Sequence, residues 1–95
     1  MKGYWVSVYE KIDNLDKLKE YAIKAGEAVN KYSGKFLVRG GKKIVNEGMD
    51  FPRTVVVEFP DFEAAKNCYT SIEYQKAHNI LKGYAKRNHQ ILEGA

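Results

Sequence analysis

Two charged residues that stand in apolar runs are the first candidates for chemistry. Arg39 ends the run Phe36-Leu37-Val38, and Glu58 stands between Val55-Val56-Val57 and Phe59. Both runs are typical of strands, and an unpaired ion near a core needs a partner, a ligand or water. A guanidinium suits carboxylate recognition, and a buried carboxylate can act as a general base. We predict that both residues contribute to a ligand site; a cross-strand ion pair between them is the alternative.

Histidine and tyrosine side chains extend this predicted site. His89 lies near the start of the last predicted strand and is a candidate acid/base or haem ligand, with a hydrogen-bonded structural histidine as the alternative. Several tyrosines occupy core-type positions, where they either pack or line a pocket between sheet and helices. The predicted ligand-binding residues are Arg39, Glu58, Tyr4, Tyr69 and Tyr74, and the catalytic candidates are Glu58 and His89.

Other kinds of site are not predicted. Gly40-Gly41 lacks the remainder of a phosphate loop, and His78 has Lys82 rather than a second ligand four residues later. Cys68 is the only cysteine, so it forms no internal disulfide and is expected to be a buried small side chain in a reducing compartment. The sequence therefore predicts neither a metal nor a cofactor.

The elements that position these residues follow from hydrophobic periodicity and from capping residues. The order β-α-β-β-α-β predicts an α+β, ferredoxin-like domain over residues 1–95, in which a four-stranded antiparallel sheet carries its helices on one face. The predicted strands are 3–9, 35–39 with a continuation at 42–45, 53–59 and 88–93; the predicted helices are 15–32, a second that starts after Asp61, and 72–85.

This arrangement leaves one face of the sheet without helices. We assign Trp5, Tyr9 and Val56 to that uncovered face and expect Trp5 to serve a subunit interface, where tryptophan is enriched. A large exposed apolar face is a liability in a monomer, and a chain of 95 residues has a small core. We therefore predict a homodimer in which two sheets pack together as a dimeric α+β barrel.

The charge pattern argues against two classes of partner. The net charge is +4, but the lysines are dispersed among acids, and the longest basic cluster is Lys42-Lys43. Nucleic-acid binding, which needs a concentrated basic patch, is therefore not predicted. The N-terminal residues do not resemble a signal peptide, and no apolar run reaches transmembrane length. We expect a cytoplasmic protein without a membrane partner.

One set of segments, spread in order over nearly the whole chain, comprises residues 2–6, 31–41, 52–60, 64–69, Ser71, 73–75 and 91–94. These segments resemble the domain-of-unknown-function family 1330, whose members look like dimeric α+β barrels. The resemblance implies the fold but no activity; the wider superfamily includes small monooxygenases, haem-degrading proteins and hydrolytic or isomerising enzymes, which is an analogy of fold. We expect binding of a small organic ligand between sheet and helices, with a cofactor-free monooxygenase- or isomerase-like enzyme as the alternative.

Overall fold

The computed structural model describes residues 1–95 and contains four strands and three helices. The sheet has the strand order β2-β3-β1-β4, and every neighbouring pair is antiparallel. This is the ferredoxin-like α+β architecture, so the predicted fold class is confirmed. The elements are β1 Gly3–Ile12, α1 Leu15–Lys31, β2 Lys35–Arg39, β3 Arg53–Phe59, α2 Phe62–Thr70, α3 Ile72–Leu81 and β4 Ala85–Glu93.

Each helix is directly preceded by a polar residue whose side chain accepts a hydrogen bond from a backbone N–H of the first turn. Asn14 accepts from the backbone of Lys17, and Asp61 accepts from the backbone of Ala64. Ser71 has an extended conformation, ends α2 and caps α3 by accepting from the Tyr74 backbone N–H. These side chains satisfy backbone donors that would otherwise lack partners at a helix start. None of the three helices has both the length and the apolar character needed to span a membrane.

The alternation of β1 decides which face of the sheet is buried. Trp5, Ser7 and Tyr9 are buried, whereas Tyr4, Val6 and Val8 are only half-buried. The helices pack on the face that carries Trp5, Ser7 and Tyr9. One contact that shows this is the hydrogen bond from the Trp5 Nε1 to the Ala65 carbonyl oxygen in α2, at 2.9 Å.

The assignment of Trp5 and Tyr9 to the uncovered face is therefore wrong. Both side chains are more than nine-tenths buried inside the protomer. Of the three residues assigned there, only Val56 lies on the open face, where it pairs in register with Val6. Both faces of β1 carry bulky residues, so alternation alone did not indicate which of them the helices would cover.

The segment between β2 and β3 has no regular secondary structure. Gly40 and Gly41 have φ of 72° and 90°, in the left-handed region that glycine adopts readily, and they turn the chain away from β2. The predicted continuation of the strand at 42–45 is therefore wrong, and residues 41–50 are exposed. A further difference is at Gly83, which follows α3 and has a φ of 87°. The helix ends at Leu81, and β4 begins at Ala85, three residues earlier than predicted.

Candidate functional site

A cavity lies between the helix-covered face of the sheet and α1. Its volume is about 30 Å³, which is enough for about two water molecules or a small polar group. Most of the wall is apolar, formed by residues of β1, α1, β2 and β3. The polar groups in the wall are Ser7, Tyr9, Tyr21, His89, Arg39, Arg53 and Arg87.

The chain has only three arginines, and all three line this cavity. The seven ion pairs of the structure all use lysines, so none of the arginines has an acidic partner. A guanidinium remains charged throughout the physiological pH range. The cavity therefore concentrates positive charge that the protein itself does not neutralise, and this field favours an anion.

Arg39 and Arg53 are positioned by β2, β3 and the turn between them. Arg39 is exposed; its Nη2 donates to the Ala22 carbonyl oxygen at 3.2 Å, and its guanidinium lies 4.0 Å from the Phe36 ring centroid. Arg53 is half-buried and packs against Gly40, where an added Cβ would lie only 2.6 Å from the Arg53 Nη1. These two arginines form the more solvent-exposed end of the cavity.

Arg87 forms the inner end of the cavity with three phenols from three different elements. Its Nη1 donates to the hydroxyls of Tyr9 and Tyr21, both at 3.0 Å, and its Nη2 donates to the Tyr74 hydroxyl at 2.6 Å. The Tyr21 and Tyr74 hydroxyls also share a hydrogen bond of 2.8 Å. Burial raises the pKa of Tyr9 and, more strongly, that of Tyr74, so these phenols are neutral. Arg87 is therefore hydrogen-bonded without being neutralised.

His89 lies on the same face of β4, two residues after Arg87. Its ring centroid is 5.0 Å from those of Trp5 and Tyr69, and its Nε2 is buried without a hydrogen-bond partner. Burial, followed by the charge of Arg87, lowers the pKa of His89 to about 4, so the imidazole is neutral at pH 7. A buried polar atom without a partner calls for an explanation.

Acidification is expected to destabilise the protein through His89. Because its pKa falls from 6.5 to about 4 on folding, the unfolded chain binds the proton first. The lowered pKa of His89 therefore makes the free energy of unfolding depend on pH. The full stability is present above pH 6.5, and about 3 kcal/mol of it is lost as the pH falls toward 4. Urea unfolding at pH 7 and pH 4.5 measures the loss, which should be smaller in His89→Gln. Equal losses in both proteins would contradict the prediction.

Four of the sequence-predicted residues lie at or beside the cavity. Arg39 and His89 line it. Tyr74 stands behind the wall and is connected to the cavity through its hydrogen bond with Arg87. Tyr69 packs its ring against His89 and so supports the imidazole without entering the wall.

The other two predicted residues, Tyr4 and Glu58, lie on the opposite face of the sheet. They pair with each other in register, and Glu58 is 3.6 Å from the Lys2 ammonium. Arg39 instead pairs in register with Val55 on the helix-covered face. The alternative of an Arg39–Glu58 ion pair is therefore wrong, because the two side chains leave the sheet on opposite sides.

Five polar residues of the cavity wall were not among the predicted site residues: Ser7, Tyr9, Tyr21, Arg53 and Arg87. Arg87 was missed because the last strand was predicted to start at Asn88. If the strand is extended back from His89, the alternation of side chains between the two faces places Arg87 on the same face as His89. Tyr21 lies three residues after Leu18, in the helical spacing of the apolar face of α1. The small number of arginines was a further signal, because arginine is the residue suited to bidentate anion recognition.

No group of three or more His, Cys, Asp or Glu side chains is arranged to hold a metal ion. The Cys68 thiol is buried, and burial raises its pKa to about 12, so it is not a nucleophile at neutral pH. The chemistry of the site is therefore that of guanidinium, phenol and imidazole groups around an apolar space.

Three solved structures illustrate the similarity of the fold. A protein of unknown function from Rhodopseudomonas palustris superposes with a TM-score of 0.78 at 11% identity, covering 99% of this chain and 82% of that one. A dimeric ferredoxin-like protein of unknown function from Jannaschia sp. CCS1 gives 0.79 at 14% identity, covering 99% and 100%. A protein from Caulobacter crescentus CB15, provisionally named an antibiotic biosynthesis monooxygenase, gives 0.64 at 10% identity, covering 99% and 89%. At these identities the likeness shows the fold alone.

The sequence itself identifies the family. No curated protein matches the chain. The model of the domain of unknown function DUF1330 matches residues 2–95, which is essentially the whole chain. The resemblance found in the sequence is thereby confirmed, and the chain belongs to the DUF1330 family.

Proposed function

We propose that this protein binds a small organic anion in the cavity between the sheet and α1. The observation that carries the proposal is that all three arginines line one cavity and that none has an acidic partner. Arg53 and Arg87 are partly buried. Leaving such a cation without a counter-charge is costly, and a bound anion offsets that cost. The lysines, by contrast, are dispersed, and several pair with acids at the surface.

The shape of the site indicates the class of anion. Arg87 and its phenols form a polar inner end, Arg39 and Arg53 form a cationic outer end, and the wall between them is apolar. A guanidinium binds a carboxylate through two parallel hydrogen bonds. The volume of about 30 Å³ limits the buried part of the ligand to a few non-hydrogen atoms. A short-chain carboxylic acid fits these requirements.

Calorimetric titration with oxamate and with the neutral propionamide tests the proposal. Oxamate should bind and propionamide should not, and Arg53→Gln should weaken oxamate binding at least about tenfold, because a charge-assisted hydrogen bond is lost. The matched control is Lys19→Gln, which removes one positive charge from an exposed position outside the cavity. Equal affinities of the two variants, or equal binding of acid and amide, would overturn the proposal. Native mass spectrometry of freshly purified protein would identify a co-purified acid.

The proposal includes a homodimer formed through the open face of the sheet. That face carries half-buried apolar side chains of β1 and β3, among them Val6, Val8 and Val56. The similar protein from Jannaschia is described as dimeric, which supports the same assembly here. A cytoplasmic location remains part of the proposal, supported by the buried free thiol of Cys68. Nucleic acid and membrane are not proposed as partners, because the basic residues are dispersed.

A small cofactor-free enzyme of the monooxygenase or isomerase kind is the second candidate. The specific observation in its favour is the neutral, unpartnered imidazole of His89 in the cavity wall. The fold similarity to a provisionally named monooxygenase supports the same class by analogy. Consumption of dissolved oxygen during turnover would separate a monooxygenase from an isomerase.

A further inference from the structure

We propose that the cavity catalyses proton transfer on a short-chain, enolisable oxo acid, with His89 as the base and Arg87 as the group that holds the enolate oxygen. This inference rests on the proposed binding of a small organic anion and names the substrate class and the reaction. It favours the isomerase kind of chemistry over oxygen-dependent chemistry.

His89 has the position and the protonation state that a base requires. Its Nε2 is buried without a hydrogen-bond partner, and the residue lines the cavity. Aromatic packing against Trp5 and Tyr69 fixes the ring. The imidazole is neutral at pH 7, so its unprotonated nitrogen is available to accept a proton.

Arg87 and Tyr9 supply donors for an oxygen on which negative charge develops. The hydrogen-bond partners of Arg87 are hydroxyls rather than carboxylates, so its charge remains available to a ligand. The Tyr9 hydroxyl accepts from Arg87 and donates to no protein group, which leaves its hydrogen for a ligand oxygen. Donors fixed in a site of low polarity stabilise a developing enolate more than water does.

The arrangement of positive charge favours an oxo acid over a simple ketone. An oxo acid carries two oxygen functions, a carboxylate and a ketone, and the cavity offers a cationic group at each end. With the ketone oxygen at Arg87, the carboxylate points toward Arg39 and Arg53. His89 lies on the same face of β4, two residues after Arg87, and lines the same cavity.

Every bond and electron pair of the proton-transfer step is accounted for by the substrate and the imidazole. The lone pair of the unprotonated imidazole nitrogen forms an N–H bond with the α-hydrogen. The electron pair of the broken C–H bond forms the C=C bond of the enolate, and the carbonyl π pair moves to oxygen beside Arg87. The negative enolate lies next to the new imidazolium and stabilises it. Return of the proton to carbon restores the ketone, and transfer to oxygen gives the enol. No electron leaves the substrate, so no oxidant is required.

Hydrogen–deuterium exchange of pyruvate and 2-oxobutanoate in D₂O, followed by proton NMR, tests this inference. We expect the native protein to accelerate loss of the α-proton signals at least about hundredfold over buffer. His89→Gln should abolish the acceleration and still bind oxamate, which resembles pyruvate but has an amino group in place of the methyl group. The control is His78→Gln, which removes the only other imidazole from a position outside the cavity wall and should retain exchange.

The outcomes separate the two proposals. Oxamate binding without exchange of either oxo acid overturns proton transfer and leaves anion binding intact, whereas absence of oxamate binding overturns both. Exchange that persists in His89→Gln, or that is lost equally in His78→Gln, overturns the role of His89. In the native protein, saturating oxamate must suppress exchange; exchange that survives oxamate takes place elsewhere and also overturns the inference, without any need for a folded variant.

Discussion

Replacement of Trp5 by alanine is expected to remove about 4 kcal/mol from the free energy of unfolding. The Trp5 side chain is 4% exposed, and its ring contacts those of Phe59, Tyr74 and His89. Alanine leaves a cavity at the centre of these contacts and removes the hydrogen bond to Ala65. Total stability is typically about 5–15 kcal/mol, so the variant should be largely unfolded at moderate temperature. Urea denaturation followed by far-ultraviolet circular dichroism measures the effect.

Trp5→Phe is the matched control for this prediction. It keeps an aromatic ring among the same neighbours and removes only the indole donor and part of the volume, so its cost should be less than half that of Trp5→Ala. A cost below about 1 kcal/mol for alanine would be inconsistent with a fully buried tryptophan. That result would instead agree with an exposed position on the sheet.

Replacement of Val56 by aspartate is expected to convert the proposed homodimer into a monomer. Val56 lies on the inner strand β3, where it pairs with Val6 on one side and Val38 on the other. In a symmetric dimer, the interface would receive two carboxylates, one from each protomer, and the burial of an unpaired charge costs several kcal/mol. Dimer affinity should therefore fall at least about a thousandfold. Sedimentation at micromolar concentration should change from about twice 10.9 kDa to 10.9 kDa.

Ile23→Asp is the control for the Val56 variant. Ile23 is 66% exposed on α1, so the same chemical change is made away from the open face of the sheet and should leave the dimer intact. Sedimentation of the native protein as a monomer would refute the assembly itself. A native dimer that tolerates Val56→Asp would refute only the use of this face.

The order of the elements could be predicted from the sequence because its signals are local. Asn14, Asp61 and Ser71 cap helices in the structure as their positions in the sequence indicate. Periodicity of two or of three to four residues distinguishes strands from helices within a short window. The βαββαβ order, together with the handedness of crossover connections, leaves few sheet topologies, and the ferredoxin-like topology was among them.

The composition of the site could be predicted only in part. Arg39 and His89 were identified because each is an unusual residue within a strand pattern, and both line the cavity. Glu58 met the same criterion and yet lies on the other face with Lys2. An error of one residue in register moves a side chain to the opposite face of a sheet. Local sequence patterns therefore identified charged strand residues, but not the side of the sheet on which each would act.

The sequence by itself determined the fold class, the family and the presence of only three arginines. The tertiary structure alone decided that these arginines meet at one cavity, and that Arg87 donates hydrogen bonds to Tyr9, Tyr21 and Tyr74 on β1, α1 and α3. Arg87 and Tyr9 are 78 positions apart in the chain. Helix and strand signals arise from neighbours a few residues apart, whereas the meeting of such distant side chains depends on how the whole sheet and its helices pack.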